Sequence, residues 1–169
     1  MPIVVNGCSF THEFHLDKEN RWTTKIGAIE NLAIGGGSNE RIFHTTIEYL
    51  NHTTPDVLII GWTNPERFML YHSNGSRVAV TPVLAFNEQS GEKHDEHCKF
   101  YYKCCHNQFV NFENTLHYMI HLQEYCKSKQ IKLLYFNSFF TKVDATYLTG
   151  VARNAFMSRE NADIERMGI

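Results

Sequence analysis

Hydrophobic residues in this chain form short continuous runs, separated by longer segments in which they recur at helical spacing. The runs are apolar at nearly every position, which is typical of strands that are buried on both faces of a parallel sheet. They are Ile3–Val5, Val57–Trp62 and Leu133–Phe136, with Asn31–Ile34 as a weaker fourth candidate. The pattern therefore predicts a mainly parallel sheet covered by helices.

Two of the intervening segments have the three- and four-residue spacing of an amphipathic helix. Ser38–Leu50 begins with a residue suited to cap a helix, either Ser38 or Asn39. Phe109–Lys127 is longer and has the clearer periodicity. Strands and helices alternate along the chain, which predicts an α/β three-layer sandwich with a mostly parallel central sheet and right-handed crossovers.

The segment 64–106 interrupts this alternation. It has about 43 residues with little periodicity, apart from a candidate short strand at Arg77–Leu84. A stretch of this length is unusual inside a compact domain, so we expect an irregular excursion with a function of its own. Its aromatic cluster, Phe100–Tyr102, either lines a sugar or nucleobase site or anchors the excursion on the domain.

Composition narrows the class of protein. The 169 residues predict a single domain spanning 1–169, and 43% hydrophobic with 20% charged residues excludes a disordered chain. A net charge of −2 provides no basic field for nucleic acid, so no nucleic-acid partner is expected.

No apolar run is long enough for a membrane span, and the first residues lack the charged flank of a secretory signal. We therefore expect the five cysteines to be reduced thiols in a cytoplasm.

Histidines and cysteines cluster between His94 and His106. This stretch contains six candidate zinc ligands, but it has no Cys-x-x-Cys pair, and adjacent cysteines rarely both face one metal. A metal-free loop is therefore the expected state, with a structural metal as the alternative.

Polar segments follow three of the predicted strands, and the first two of them contain glycine. They are Gly7–Thr11, Gly35–Asn39 and Trp62–Pro65. Ligands of an open parallel sheet bind beyond the carboxyl ends of its strands, so we expect these segments to meet at one edge. A serine hydroxyl, backbone amides and an asparagine amide would then come together. Acyl transfer requires such a set, namely a nucleophile and preorganised donors for an oxyanion.

The same segments resemble the sequence blocks of the SGNH (GDSL-type) hydrolase superfamily, in particular its small members in tailed-phage genomes. Gly7-Cys8-Ser9-Phe10-Thr11 matches the first block, Gly-x-Ser-Phe/Leu-Thr. The stretch 31–38 matches the second, Asn-x-Ala-x-x-Gly-x-Ser. Gly61-Trp62-Thr63-Asn64 matches the third, with Pro65 where the family usually has aspartate. By motif, the resemblance covers about residues 1–68.

The resemblance implies a flavodoxin-like fold and a serine esterase or acetyl-hydrolase that needs no cofactor. Its substrate would be a small O-acyl ester, for instance on a glycan. Ser9 would be the nucleophile, and the oxyanion donors would be the N–H groups of Ser9 and Gly36 and the amide of Asn64. If the match to the third block is shifted by one residue, Thr63 takes the place of Asn64. Arg67 is a candidate for binding an anionic group of the substrate, with a surface salt bridge as the alternative.

The general base expected by resemblance is missing from this sequence. The family has Asp-x-x-His near its C-terminus, whereas the last histidine here is His121. Three explanations stay open. The sequence stops short of that block, another histidine replaces it (His12, His15 or one in 94–106), or the protein is a non-catalytic SGNH-fold binding protein.

Overall fold

The computed structural model describes residues 1–71, 77–80 and 95–138. In chain order its strands are β1 (Ile3–Gly7), β2 (Ala28–Asn31), β3 (Val57–Trp62), β4 (Phe68–Tyr71), β5 (Arg77–Val80) and β6 (Lys132–Asn137). Its α-helices are α1 (Ser9–His12), α2 (Trp22–Lys25), α3 (Asn39–His52), α4 (Asp95–Phe100) and α5 (Gln108–Ser128). A 3-10 turn at Lys18–Asn20 and a π-helical turn at Tyr101–Cys105 complete the described elements.

Four strands form an all-parallel sheet in the spatial order β2-β1-β3-β6. Val4 lies beside Leu58, and Leu58 lies beside Leu133, so apolar residues form continuous rows across the strands. The predicted α/β fold with a parallel central sheet is therefore confirmed.

One face of this sheet packs on α3 and α5. Leu58, Ile60 and Trp62 of β3 are buried there and form the main core with apolar residues of both helices. Both faces of β3 are largely apolar, which explains why this strand reads as an uninterrupted hydrophobic run.

A buried asparagine fastens α3 to β1. Asn6 is fully buried, and its Nδ2 lies 3.1 Å from the carbonyl oxygen of Ile42 and 2.9 Å from the hydroxyls of both Thr45 and Thr46. Its Oδ1 accepts a hydrogen bond from the N–H of Gly7 at 2.8 Å. Because buried polar groups need partners, this network fixes the position of α3 against the end of β1.

On the opposite face, two glycines allow α1 to approach the sheet. Gly7 and Gly61 are neighbours in the register of β1 and β3. A Cβ atom on Gly7 would collide with the Thr11 hydroxyl, and a Cβ on Gly61 would lie 2.6 Å from it and 2.9 Å from the ring of Phe136. The close approach of Thr11 therefore requires glycine at both positions. Trp22 of α2 packs edge-on against Phe136 nearby, with 5.8 Å between ring centroids.

The helix predictions are close to the observed bounds. The predicted N-cap Ser38 precedes α3, and its hydroxyl accepts a hydrogen bond from the N–H of Arg41 at 3.3 Å. Helix α5 includes the predicted Phe109–Lys127 and is capped by Asn107, whose side chain accepts from two backbone N–H groups.

The weaker strand prediction, Asn31–Ile34, is displaced from the observed β2. The strand ends at Asn31, although the N–H of Leu32 still bonds to Val5 at 2.9 Å. The side chain of Asn31 accepts from the N–H of Ala33 at 3.1 Å and donates to the carbonyl of Thr11 at 3.0 Å. These side-chain bonds replace the ladder, so the chain turns there.

The excursion contains an antiparallel hairpin of β4 and β5, followed by α4 and the π-helical turn. The hydroxyl of Tyr102 donates to the carbonyl of Glu66 at 2.7 Å, and its ring packs on Phe68. Tyr102 thus ties the end of the excursion to its start, and both readings of the aromatic cluster stay predictions. Residues 81–84 of the predicted strand lie outside the described residues. Within the described part of the chain, no helix has the length and apolarity needed to cross a membrane.

Candidate functional site at the carboxyl edge of the sheet

The three polar segments singled out in the sequence leave adjacent strands at the same edge of the sheet. Gly7 and Gly61 are paired in register, so Ser9 and Asn64 follow neighbouring strand ends. A Cβ placed on Gly37 would lie 3.5 Å from the carbonyl oxygen of Gly7, which puts the glycine-rich turn against the end of β1. The fold therefore brings the three segments to one region, where parallel sheets bind ligands.

Ser9 is the first residue of α1 and is half-buried, directly after the fully buried Cys8. Its Oγ makes no hydrogen bond with any of the described residues, and its carbonyl accepts from the N–H of Glu13 at 2.9 Å. The N–H groups in the first turn of a helix lack intrahelical acceptors. Ser9 thus presents a hydroxyl and a backbone donor at the same point.

The glycine-rich turn contains a conformation that favours glycine. Gly36 has a φ of +73°, and the turn leads into the N-cap Ser38 of α3. The positive φ alone explains glycine at position 36, whether or not its N–H binds an oxyanion.

Asn64 presents an amide donor beyond β3. Its Oδ1 accepts a hydrogen bond from the N–H of Glu66 at 2.9 Å, and its carbonyl accepts from the N–H of Arg67 at 3.1 Å. These bonds fix the turn and leave Nδ2 without an acceptor among the described residues. The half-buried Asn64 therefore has the geometry of a positioned donor.

Thr63, the alternative to Asn64, is almost fully buried. Its N–H donates to Asn39 Oδ1 at 2.8 Å, and its carbonyl accepts from Asn39 Nδ2 at 2.9 Å. Asn39 Nδ2 also lies 3.1 Å from the hydroxyl of Thr115 in α5. Both backbone groups of Thr63 are thus bonded, and its hydroxyl is buried without a partner among the described residues, so the half-buried Asn64 is the more accessible donor.

Asn39 is a positioning residue that the sequence indicated only as a helix cap. It joins α3 to the end of β3 and to α5 through buried hydrogen bonds. The only signal in the sequence is its place next to Ser38, and nothing there reveals partners 24 and 76 residues away.

Among the candidate bases, His12 lies on the same helix as Ser9. It ends α1 three residues later, and its Nδ1 is buried without a hydrogen-bond partner among the described residues. His15 is exposed, and His106 packs against Tyr101 and Tyr102 with ring centroids 6.1 Å and 5.2 Å away. No histidine described here is hydrogen-bonded to Ser9.

The His/Cys cluster of the excursion is only partly described. His94 and the side chain of His97 lie outside the described residues. Within residues 1–71, 77–80 and 95–138, no group of three or more His, Cys, Asp or Glu side chains is arranged to hold a metal ion. Cys98 is buried, whereas Cys104 and Cys105 are exposed.

Arg67 lies beyond Asn64, at the start of the excursion. It is half-buried and lines a small polar cavity next to Pro65. Arg67 therefore lies close to Asn64 in sequence, in the loop that follows β3 at the carboxyl edge of the sheet.

Solved structures similar to this chain include the following three proteins. A protein described as an acylhydrolase from Bacteroides fragilis has 15% identity and a TM-score of 0.46, covering 99% of this chain and 64% of that one. TesA has 11% identity and a TM-score of 0.47, with coverages of 98% and 74%. A GDSL-like lipase from Bacteroides thetaiotaomicron has 14% identity and a TM-score of 0.48, with coverages of 99% and 65%.

The chain thus spans slightly less than two thirds of the length of the two Bacteroides proteins. No curated protein sequence matches it significantly. A family model matches residues 18–168, and its description is a family of unknown function, DUF6071. Since that match covers most of the sequence, the chain belongs to the DUF6071 family.

Proposed function

We propose that this protein is a serine ester hydrolase of the SGNH type that acts on a small O-acyl ester. One observation supports this most directly. The Ser9 hydroxyl and the Asn64 side chain follow the ends of neighbouring strands of one parallel sheet, and neither Ser9 Oγ nor Asn64 Nδ2 is hydrogen-bonded to any described residue. A nucleophile and a positioned donor at one edge are the parts that acyl transfer needs.

In the proposed reaction, Ser9 Oγ attacks the ester carbonyl carbon while a base takes its proton. The resulting oxyanion accepts hydrogen bonds from the N–H groups of Ser9 and Gly36 and from Asn64 Nδ2. Collapse of this intermediate breaks the ester C–O bond, and the alcohol leaves with the proton held by the base. Water then attacks the acyl-serine, which releases the carboxylic acid and restores Ser9.

We propose His12 as the base. Residues three apart on a helix lie on the same face, with about 5–6 Å between their Cβ atoms, so an imidazole at position 12 can reach the Ser9 hydroxyl. The two residues occupy the first and last positions of α1. A positioned base typically contributes about 10²–10⁴-fold to the rate, which sets the size of the expected effect.

The test compares variants in the hydrolysis of p-nitrophenyl acetate. Ser9→Ala is expected to reduce kcat/KM to background, while Ser128→Ala, which truncates an exposed serine of α5, leaves it unchanged. His12→Gln is expected to lower kcat/KM by about 10²–10⁴-fold, and the exposed His15→Gln is its matched control. Equal rates for the wild type and Ser9→Ala would refute the proposal.

The alternative is a protein that uses the same edge for binding without turnover. One observation favours it, namely that no histidine among the described residues is hydrogen-bonded to Ser9. A fluorophosphonate probe distinguishes the two functions. Labelling that disappears in Ser9→Ala indicates an activated nucleophile, whereas a folded protein that stays unlabelled indicates the binding function.

The proposed place of action is a cytoplasm, which is that of the host if the gene is phage-encoded. All five cysteines are free, which suits a reducing compartment. The proposed partner is a small ester or glycan substrate, and the mechanism requires no cofactor.

A further inference from the structure

A polar cavity of about 150 Å³ adjoins the carboxyl edge of the sheet. It lies between the start of α3, the loop before β4 and the middle of α5. Pro65, next to Asn64, forms part of its wall, as does Asn39, whose side chain holds Thr63. The cavity is therefore continuous with the segment that carries the proposed oxyanion donor.

One wall of the cavity is aromatic. Phe68 and Tyr101 both line it, with ring centroids 3.9 Å apart and planes inclined by 35°. Tyr102 packs edge-on against both rings and is itself held by its hydrogen bond to Glu66. The rings of Phe68 and Tyr101 are thus held in place by Tyr102 and form an apolar surface.

The remaining walls contain hydrogen-bonding groups of several kinds. Asn114 of α5 is exposed at the cavity and has no hydrogen bond within the described chain, and Tyr118 contributes a phenol. Burial, and secondarily the charge of Glu40, raise the pKa of Tyr118, so this phenol stays neutral and can donate at physiological pH. The cavity therefore offers both donors and acceptors around an aromatic surface.

The charges at the cavity argue against an ionic ligand. Glu40 and Arg67 both line it, so an anion would meet the carboxylate and a cation would meet the guanidinium. A neutral ligand with several hydroxyl groups can donate to Glu40 and accept from Arg67, and its apolar C–H groups can pack on Phe68 and Tyr101. These are the properties of a sugar ring.

We propose that this cavity is a subsite for a sugar unit of the substrate. The link to catalysis rests on the proposed esterase function, because the O-acyl group of the bound sugar would extend past Pro65 toward Ser9. Arg67 then binds a neutral hydroxyl rather than an anionic group. Sugar binding itself depends only on the cavity and needs no reaction at Ser9.

The experiment uses the full chain carrying Ser9→Ala and labelled with ¹⁵N. N-acetylglucosamine and methyl glucoside are titrated, and amide shifts are followed by NMR, with acetate and inorganic phosphate as anionic probes. Saturable shifts with either sugar are expected in α5 and at the side-chain amide of Asn114. Adding Asn114→Ala is expected to weaken sugar binding by roughly tenfold, the loss of about one good hydrogen bond. Glu124→Ala, an exposed truncation on the same helix, is the control and should bind as before.

The inference is overturned if neither sugar produces saturable shifts, if Asn114→Ala binds as well as the control, or if only the anions bind. Esterase assays separate this inference from the proposed function. Ser9-dependent hydrolysis of p-nitrophenyl acetate without sugar binding removes the subsite alone. Sugar binding without hydrolysis removes the esterase and leaves the subsite standing.

Discussion

Replacing Asn39 with alanine should destabilise the fold and disturb the site together. Asn39 is buried, and its amide bonds both backbone groups of Thr63, at 2.8 Å and 2.9 Å. The variant leaves the N–H and the carbonyl of Thr63 buried without partners, and each such group costs about 1–3 kcal/mol. Thr115 adds little, because its hydroxyl still donates to the carbonyl of Asn111 at 2.9 Å.

We therefore expect Asn39→Ala to lower the free energy of unfolding by about 3 kcal/mol. Urea unfolding followed by circular dichroism measures this loss, and with a slope of about 2 kcal/mol per molar urea the midpoint falls by about 1.5 M. Asn39→Asp keeps the acceptor for the N–H of Thr63 but places a second oxygen against the buried carbonyl of Thr63, so its midpoint should fall at least as far as that of the alanine variant.

The matched control is Asn51→Ala, which truncates the same residue type near the other end of α3. Asn51 is exposed and accepts one hydrogen bond from the hydroxyl of Tyr125 at 3.1 Å, so its loss should cost less than about 1 kcal/mol. If Asn39→Ala costs no more than Asn51→Ala, the Asn39 bonds do not hold α3 to β3, and our account of how Asn64 is positioned is wrong.

Three further outcomes follow from the structure. Gly61→Ala should destabilise the protein by about 1–3 kcal/mol through overpacking, whereas Gly35→Ala, whose Cβ finds only ordinary contacts at 3.7 Å, should unfold almost like the wild type. Ellman's reagent should modify Cys104 and Cys105 quickly in the native protein and all five thiols after denaturation. Burial raises the pKa of Cys126 from 9.0 to about 11. The native state therefore binds this proton more tightly, and stability should fall as pH rises from 9.0 to about 11, a decline that Cys126→Ala should reduce in urea titrations at each pH.

Elements with strong local patterns could be predicted from the sequence. Strand β3 has the predicted bounds Val57–Trp62, because its residues are apolar and its neighbours are polar. The start of α3 was predictable because Ser38 caps it by a bond within four residues. In both cases local sequence alone contains the information.

Other helices and strands show no predictive pattern in the local sequence, because they are too short or because their bounds depend on distant partners. Helices α1 and α2 have four residues each, too few to show a helical period. The hydrophobic pattern predicts strand β2 three residues too late, since the end of the strand is set by the bonds of Asn31 to Thr11 and Ala33 rather than by hydrophobicity.

The candidate site likewise contains residues that the sequence indicates and residues that it does not. Ser9, Gly36 and Asn64 could be proposed from the sequence because each follows a predicted strand and matches a motif. The role of Asn39 depends on hydrogen bonds to Thr63 and Thr115, which are far away in sequence. The cavity could not be predicted either, since it is assembled from four separate parts of the chain.

The paired glycines of β1 and β3 have a consequence for how specificity can change. Because α1 rests on bare backbone at Gly7 and Gly61, the location of Ser9 depends little on the outward-facing side chains around it. Two of these, Phe10 and Phe14, are 54% and 62% exposed. Substitutions there reshape the surface that an incoming molecule meets while the serine keeps its place, and those at Phe14 also remove its ring contact with His12, whose centroid lies 5.8 Å away.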